Sequence, residues 1–164
     1  MKRILVLLAA LALAIPQAKT QDGLSEAQKN LRNEISGFLK SEGFVPEIDD
    51  DGDIVFKREG HAHWIIVSRN DDSPMFVTMM RSAPYVENYD RNRALHASEE
   101  LNLYKTVKVE CADDYAVIKS QMYLTDPAAF ESVFYQLLDV MANAYGDYAS
   151  EYAGAAPCGA EAAL

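Results

Sequence analysis

The sequence predicts an α+β domain: an antiparallel sheet of about five or six strands with helices packed on one side, in the order α-β-β-β-β-α-β-β-α. Three observations carry this. Apolar residues recur every three or four positions at both ends of the chain and every second position in two blocks between them. Acidic and glycine-bearing turns separate the two-residue-period runs at hairpin spacing. A more polar helical segment divides the two strand blocks.

The first helix is expected from Ser25, because Ser25 and Gln28 have the spacing at which an N-cap and the third helical residue satisfy each other's backbone donors. Leu31, Ile35, Phe38 and Leu39 then form one apolar stripe, and Gly43 ends the helix. Strands follow at 44–48, 53–58, 63–69 and 75–82, separated by Asp49-Asp50-Asp51-Gly52, Gly60 and a loop from Asn70 to Pro74. Pro46 cannot donate to a ladder, so the first strand belongs at a sheet edge. Asn88 to about Leu101 reads as the second helix. Strands at 105–111 and 115–124 are joined by a turn at Ala112-Asp113-Asp114, with Val107, Val109 and Cys111 on one face. Thr125 or Asp126 caps the last helix, Pro127 suits its first turn, and the stripe from Phe130 to Tyr152 carries it to about Ala153. Residues 154–164 read as a flexible tail rich in Ala and Gly.

Before the first helix, Lys2 and Arg3 precede an unbroken apolar run from Ile4 to Ile15, ended by Pro16 and Gln17. A spanning helix needs about 20 apolar residues. The shorter run therefore reads as a cleavable secretory signal peptide over residues 1–20, cut after Ala18 or Thr20, with no stable membrane anchor left afterwards. Residues 21–153 then form one domain, periplasmic or secreted. Its removal takes away Lys2, Arg3 and Lys19, so a chain already at a formal charge of −10 becomes more acidic still. Nucleic acid is excluded as a partner class, since affinity for a phosphate backbone comes largely from Lys and Arg.

Candidate chemistry is sparse. Asp49 to Asp53 resembles a calcium loop, but an EF-hand register would place Arg58 where a bidentate Glu is required. A hairpin turn suits the segment better. His61 and His63 have the spacing of some metal pairs, without a third ligand nearby in sequence. No nucleophile elbow, phosphate-cradling loop or nominated acid/base pair is present, so neither a catalytic residue nor a cofactor is assigned. Cys111 and Cys158 are the two cysteines; export permits a disulfide between them, and two free thiols is the alternative. Trp64, Tyr85 and Tyr89 are the candidate partner-binding aromatics.

Four segments carry a family likeness: FLKSEGF from Phe38 to Phe44, EIDDDGDIVFK from Glu47 to Lys57, the strand pair from Tyr104 to Leu124, and DPAAFESVFYQLLDVM from Asp126 to Met141. In these the chain resembles the YbjN-like family of bacterial sensory transduction regulators. That resemblance implies the type III secretion chaperone-like fold and brings no catalytic residues. Type III chaperones are cytosolic, so an exported chain would not do their job, while binding another protein, or itself as a homodimer, is compatible with the fold. The expected function is therefore an exported, non-enzymatic binding or regulatory module. The alternative is an envelope enzyme or a small-molecule or metal-binding protein.

Overall fold

The computed structural model describes residues 23–155. The elements are α1 (Glu26–Ser41), β1 (Glu47–Ile48), β2 (Ile54–Arg58), β3 (His61–Asp72), β4 (Met75–Ser82), α2 (Arg91–Leu101), β5 (Lys108–Cys111), β6 (Ala116–Leu124) and α3 (Pro127–Gly154). Their order is the expected one. The six strands form one sheet, β1-β2-β3-β4-β6-β5, and every neighbouring pair is antiparallel. The expected signal peptide and cleavage site, the tail from residue 156 and Cys158, with the expected pairing to Cys111, lie outside the described residues.

The starts of α1 and α3 follow the chemistry read from the sequence. The Ser25 hydroxyl accepts from the Gln28 amide and the Gln28 side chain accepts from the Ser25 amide, which closes the capping box. Asp126, not Thr125, caps α3, with its carboxylate accepting from the Ala129 amide and Pro127 at the first helical position. Asp90 caps α2 by accepting from the amides of Asn92 and Arg93. The second helix therefore starts at Arg91 and not at Asn88, whose backbone is left-handed at φ 58°.

Strand boundaries shift in both directions. The first strand shrinks to Glu47–Ile48, because Phe44 turns inward to meet Phe56 and Phe134 at ring distances of 5.2 and 5.7 Å. β5 starts at Lys108, because the preceding residues turn at the end of α2, where the Tyr104 amide donates to the Leu101 carbonyl. β3 runs further than expected at both ends. It begins at His61, directly after the Glu59-Gly60 turn, in which both residues have positive φ. It continues to Asp72 through an irregular stretch after Val67 and leaves Ser73-Pro74 as the turn into β4. α1 holds that stretch from outside: the Ser25 hydroxyl donates to Asp72 and the Gln28 amide group to the Asp71 carbonyl.

All three helices lie on one face of the sheet. Against them point Ile54, Phe56, Ile65, Val67, Val77, Met79, Val107, Val109, Ala116 and Ile118, which meet Leu31, Ile35 and Leu39 of α1, Ala94, Ala97 and Leu101 of α2, and Phe130 to Tyr152 of α3; His63 is buried on the same side. Burying each large apolar side chain is worth roughly 1.5–3 kcal/mol. The far ends of α2 and α3 are clasped as well. The Arg93 guanidinium donates to the Tyr152 carbonyl at 2.7 Å and lies over the Tyr152 ring, while the Asp90 amide donates to the Tyr152 hydroxyl. A cation there also suits the negative end of α3.

Candidate interaction surface

Alternation along the strands places a second set of side chains on the face that no described helix covers. The registers align Val55, Trp64, Met80 and Lys119 in one row across β2, β3, β4 and β6. Ile66, Thr78 and Gln121 form the next row, and Phe76 and Tyr123 a third, with ring centroids 4.9 Å apart. Val55, Trp64, Ile66, Phe76 and Met80 are half-buried, and Tyr123 is 65% exposed. An antiparallel sheet with one wet face ordinarily turns polar residues outward. This one turns out an apolar strip, framed by Lys57, Lys119 and Glu110.

At one end of the strip the sheet opens. The β3–β4 pairing stops at Trp64–Met80, while β3 stays paired with β2 as far as His61 and β4 with β6 as far as Ser82. A cleft of about 310 Å³ occupies this end, lined by His61, Ala62, Trp64, Arg81, Ser82, Ala83, Tyr85 and Tyr145. Trp64 and Tyr85, two of the three aromatics expected from the sequence to bind a partner, share one cleft, and Tyr85 stands 92% exposed at its side. Tyr89 does not join them. It is half-buried, stacks on Tyr152, donates to the Ala112 carbonyl, and has its hydroxyl pushed up to about 12, first by burial and then by the Cys111 thiol.

Arg81 is the residue that sequence reading missed. It is 5% exposed and carries its guanidinium carbon 3.9 Å from the centre of the Tyr145 ring. Among the described residues its side chain makes no hydrogen bond or ion pair, and its Nε is a buried donor without an acceptor. Burial pulls the group below the ordinary guanidinium range, and Tyr145 and then Glu59 act against that shift through space. Glu59 itself pairs with Arg58, at 3.8 Å. An uncompensated buried ion costs several kcal/mol, and a desolvated ring face returns about 2 or more. The aromatic contact offsets part of the cost.

His63 lies beside this cation. It stacks on Phe56 at 5.2 Å, its Nδ1 is 3.1 Å from the His61 carbonyl, and burial followed by the Arg81 charge holds it down to about 4. The ring is therefore neutral near pH 7 and donates from Nδ1 to that carbonyl. His61 packs on Tyr145 at 5.4 Å and is exposed. Among the described residues no group of three or more His, Cys, Asp or Glu is placed to hold a metal ion. The Asp49 to Asp53 segment is a hairpin turn: the Asp49 carboxylate accepts from the amides of Asp51 and Asp53, and Gly52 supplies the positive φ. No described helix is long and apolar enough to cross a membrane.

No family model matches the chain, and no curated protein matches it. Among solved structures it is similar to a chain of the HopA1-SchA chaperone-effector complex, at 9% identity and a TM-score of 0.51, over 75% of this chain and 98% of that one. At that identity the likeness speaks to the fold. It bears out the chaperone-like α+β fold expected from the sequence.

Proposed function

We propose that the protein is an exported, non-enzymatic binding module that docks another polypeptide on the open face of its sheet. The observation that carries this reading is the apolar strip of Val55, Trp64, Ile66, Phe76, Met80 and Tyr123 on an otherwise strongly acidic chain. Contiguous apolar surface of this kind marks interaction sites. The similar solved structure is of a chaperone bound to its effector, which supports a polypeptide as the occupant. Export rests on the charged and apolar leader at residues 2–15 and separates this protein from cytosolic chaperone work. A regulatory role of the YbjN-like kind rests on the likeness of segments 38–44, 47–57, 104–124 and 126–141 to that family.

Affinity capture of the mature protein from its own cell envelope, repeated with Ile66→Asp, tests the reading. A polypeptide retained by the native protein and lost with the variant supports it. Equal recovery by both, or recovery of nothing else, overturns it. Sedimentation of the purified protein decides the other occupant: a dimer that Ile66→Asp dissociates assigns the face to self-association.

A further inference from the structure

We propose that the cleft where β3 and β4 part is a carboxylate-binding pocket, in which Arg81 receives an acidic group of a bound peptide while Trp64, Tyr85 and Tyr145 flank its neighbouring apolar side chain. The inference names the chemistry of the partner and so rests on the polypeptide-binding reading.

Four features of the cleft converge on that ligand. Arg81 lines it, is more than nine-tenths buried, and has no acceptor among the described residues. A guanidinium offers a planar fork of donors that a carboxylate fits with two parallel hydrogen bonds. The near wall adds His61, whose imidazole is a further donor, and holds no carboxylate; Glu59, the acidic residue that acts on Arg81, is 80% exposed and turned to Arg58. Finally, the cleft is continuous with the apolar strip through Trp64, which belongs both to the cleft wall and to the Val55–Trp64–Met80 row. A chain lying along the strip would deliver its acidic group to Arg81 at the point where the sheet opens. On a chain with a formal charge of −10, this cleft is lined by a cation and by no carboxylate, a lining that suits an anion.

The carboxylate has two sources in a peptide, a free C-terminus and an Asp or Glu side chain, and both are testable. Trp64 is the single tryptophan, so its fluorescence reports on the cleft without labelling. The mature protein is titrated at physiological salt with acetyl-Ala-Val-Ala-Val bearing a free C-terminus, with the same peptide amidated, and with amidated acetyl-Ala-Val-Glu-Val. The expected result is saturable change with a carboxylate-bearing peptide and binding of the fully neutral peptide weaker by roughly tenfold or more. Whichever acidic peptide binds better identifies the source. Arg81→Met, checked for a native melting transition, is expected to erase the preference for acid over amide. Equal binding of all three peptides, no response to any, or a preference that survives in Arg81→Met overturns the pocket. The two readings fail separately. A protein that captures a polypeptide yet ignores the carboxylate loses the pocket alone, and one that prefers the acid yet captures nothing loses the polypeptide reading alone.

Discussion

The Arg81 guanidinium carbon lies 3.9 Å from the centre of the Tyr145 ring, so a strand of the sheet presents an unpaired cation to the longest helix. A cation so placed weakens the fold. Replacing buried ionic groups by apolar ones of similar volume is often neutral or stabilising by about 1–4 kcal/mol. Arg81→Met is therefore expected to hold or raise the midpoint of urea unfolding. Arg81→Ala, which also empties the space under Tyr145, is expected to lower it by about 2 kcal/mol. A loss with Met as large as that with Ala would mean that the charge is part of what holds the fold together.

His63 gives the fold an acid-sensitive element. Its folded value of about 4 lies below the ordinary 6.5, so the unfolded chain takes up a proton that the folded chain refuses. Stability that is intact above pH 6.5 is therefore lost as pH falls from there to about 4, by something on the order of 3 kcal/mol. His63→Phe keeps an aromatic ring on Phe56 and removes the titration. It forfeits the hydrogen bond to the His61 carbonyl, a cost of about 1 kcal/mol at neutral pH. Urea unfolding at pH 7, 5.5 and 4.5 should show a shallower decline for the variant than for the native protein.

Element order, sheet type and the caps of α1 and α3 were legible in the sequence because each rests on local chemistry. Ser25 with Gln28, Asp126 with Pro127 and the Gly52 turn fold as their neighbours dictate. The sequence did not reveal how far β3 extends, because Asn70, Asp71 and Asp72 have turn chemistry that the contacts from Ser25 and Gln28 of α1 override. Nor did it reveal Arg81, whose period-two position faces the core like its neighbours Val77 and Met79, where a cation is the least expected residue. Its alternation with those two residues was the available signal. Trp64 and Tyr85 were nominated as aromatics, but that they share one cleft depends on where the β3–β4 pairing stops, a long-range property. Tyr89 was nominated on the same grounds and is turned inward by Tyr152 and the Ala112 carbonyl.

Asp53 works in the opposite direction to His63. Burial first, then the carboxylates of Asp49 and Asp51, raise it to about 6, against the opposing charges of Arg69 and Arg32. The folded state therefore holds a proton that the unfolded chain releases, and ionising Asp53 costs stability as pH rises through 6. Asp53→Asn removes that cost. Because the side chain is half exposed, solvent reduces the effect to about 1 kcal/mol. The variant should melt higher than the native protein at pH 8, and the gain should shrink as pH falls toward 4. A gain that is the same at both pH values would trace to the turn conformation and not to the charge.

Ile65 and Ile66 are chemically identical neighbours on opposite faces of β3, and the strip reading makes them behave differently. Ile65 is fully buried against the helices and pairs with Met79 across β4. A carboxylate there has no partner and no water, so Ile65→Asp is expected to cost more than about 4 kcal/mol and to leave little folded protein. Ile66 faces outward between Trp64 and Ser68 and pairs with Thr78. Ile66→Asp leaves the helix-covered core untouched and is expected to cost about 1 kcal/mol. Circular dichroism and urea unfolding of the two variants measure the contrast. If both unfold the protein, the outward strip is a second core that requires cover in the isolated chain. If Ile66→Asp folds and Ile65→Asp does not, the strip is surface, its apolar character is unexplained by stability, and binding is what remains for it to serve.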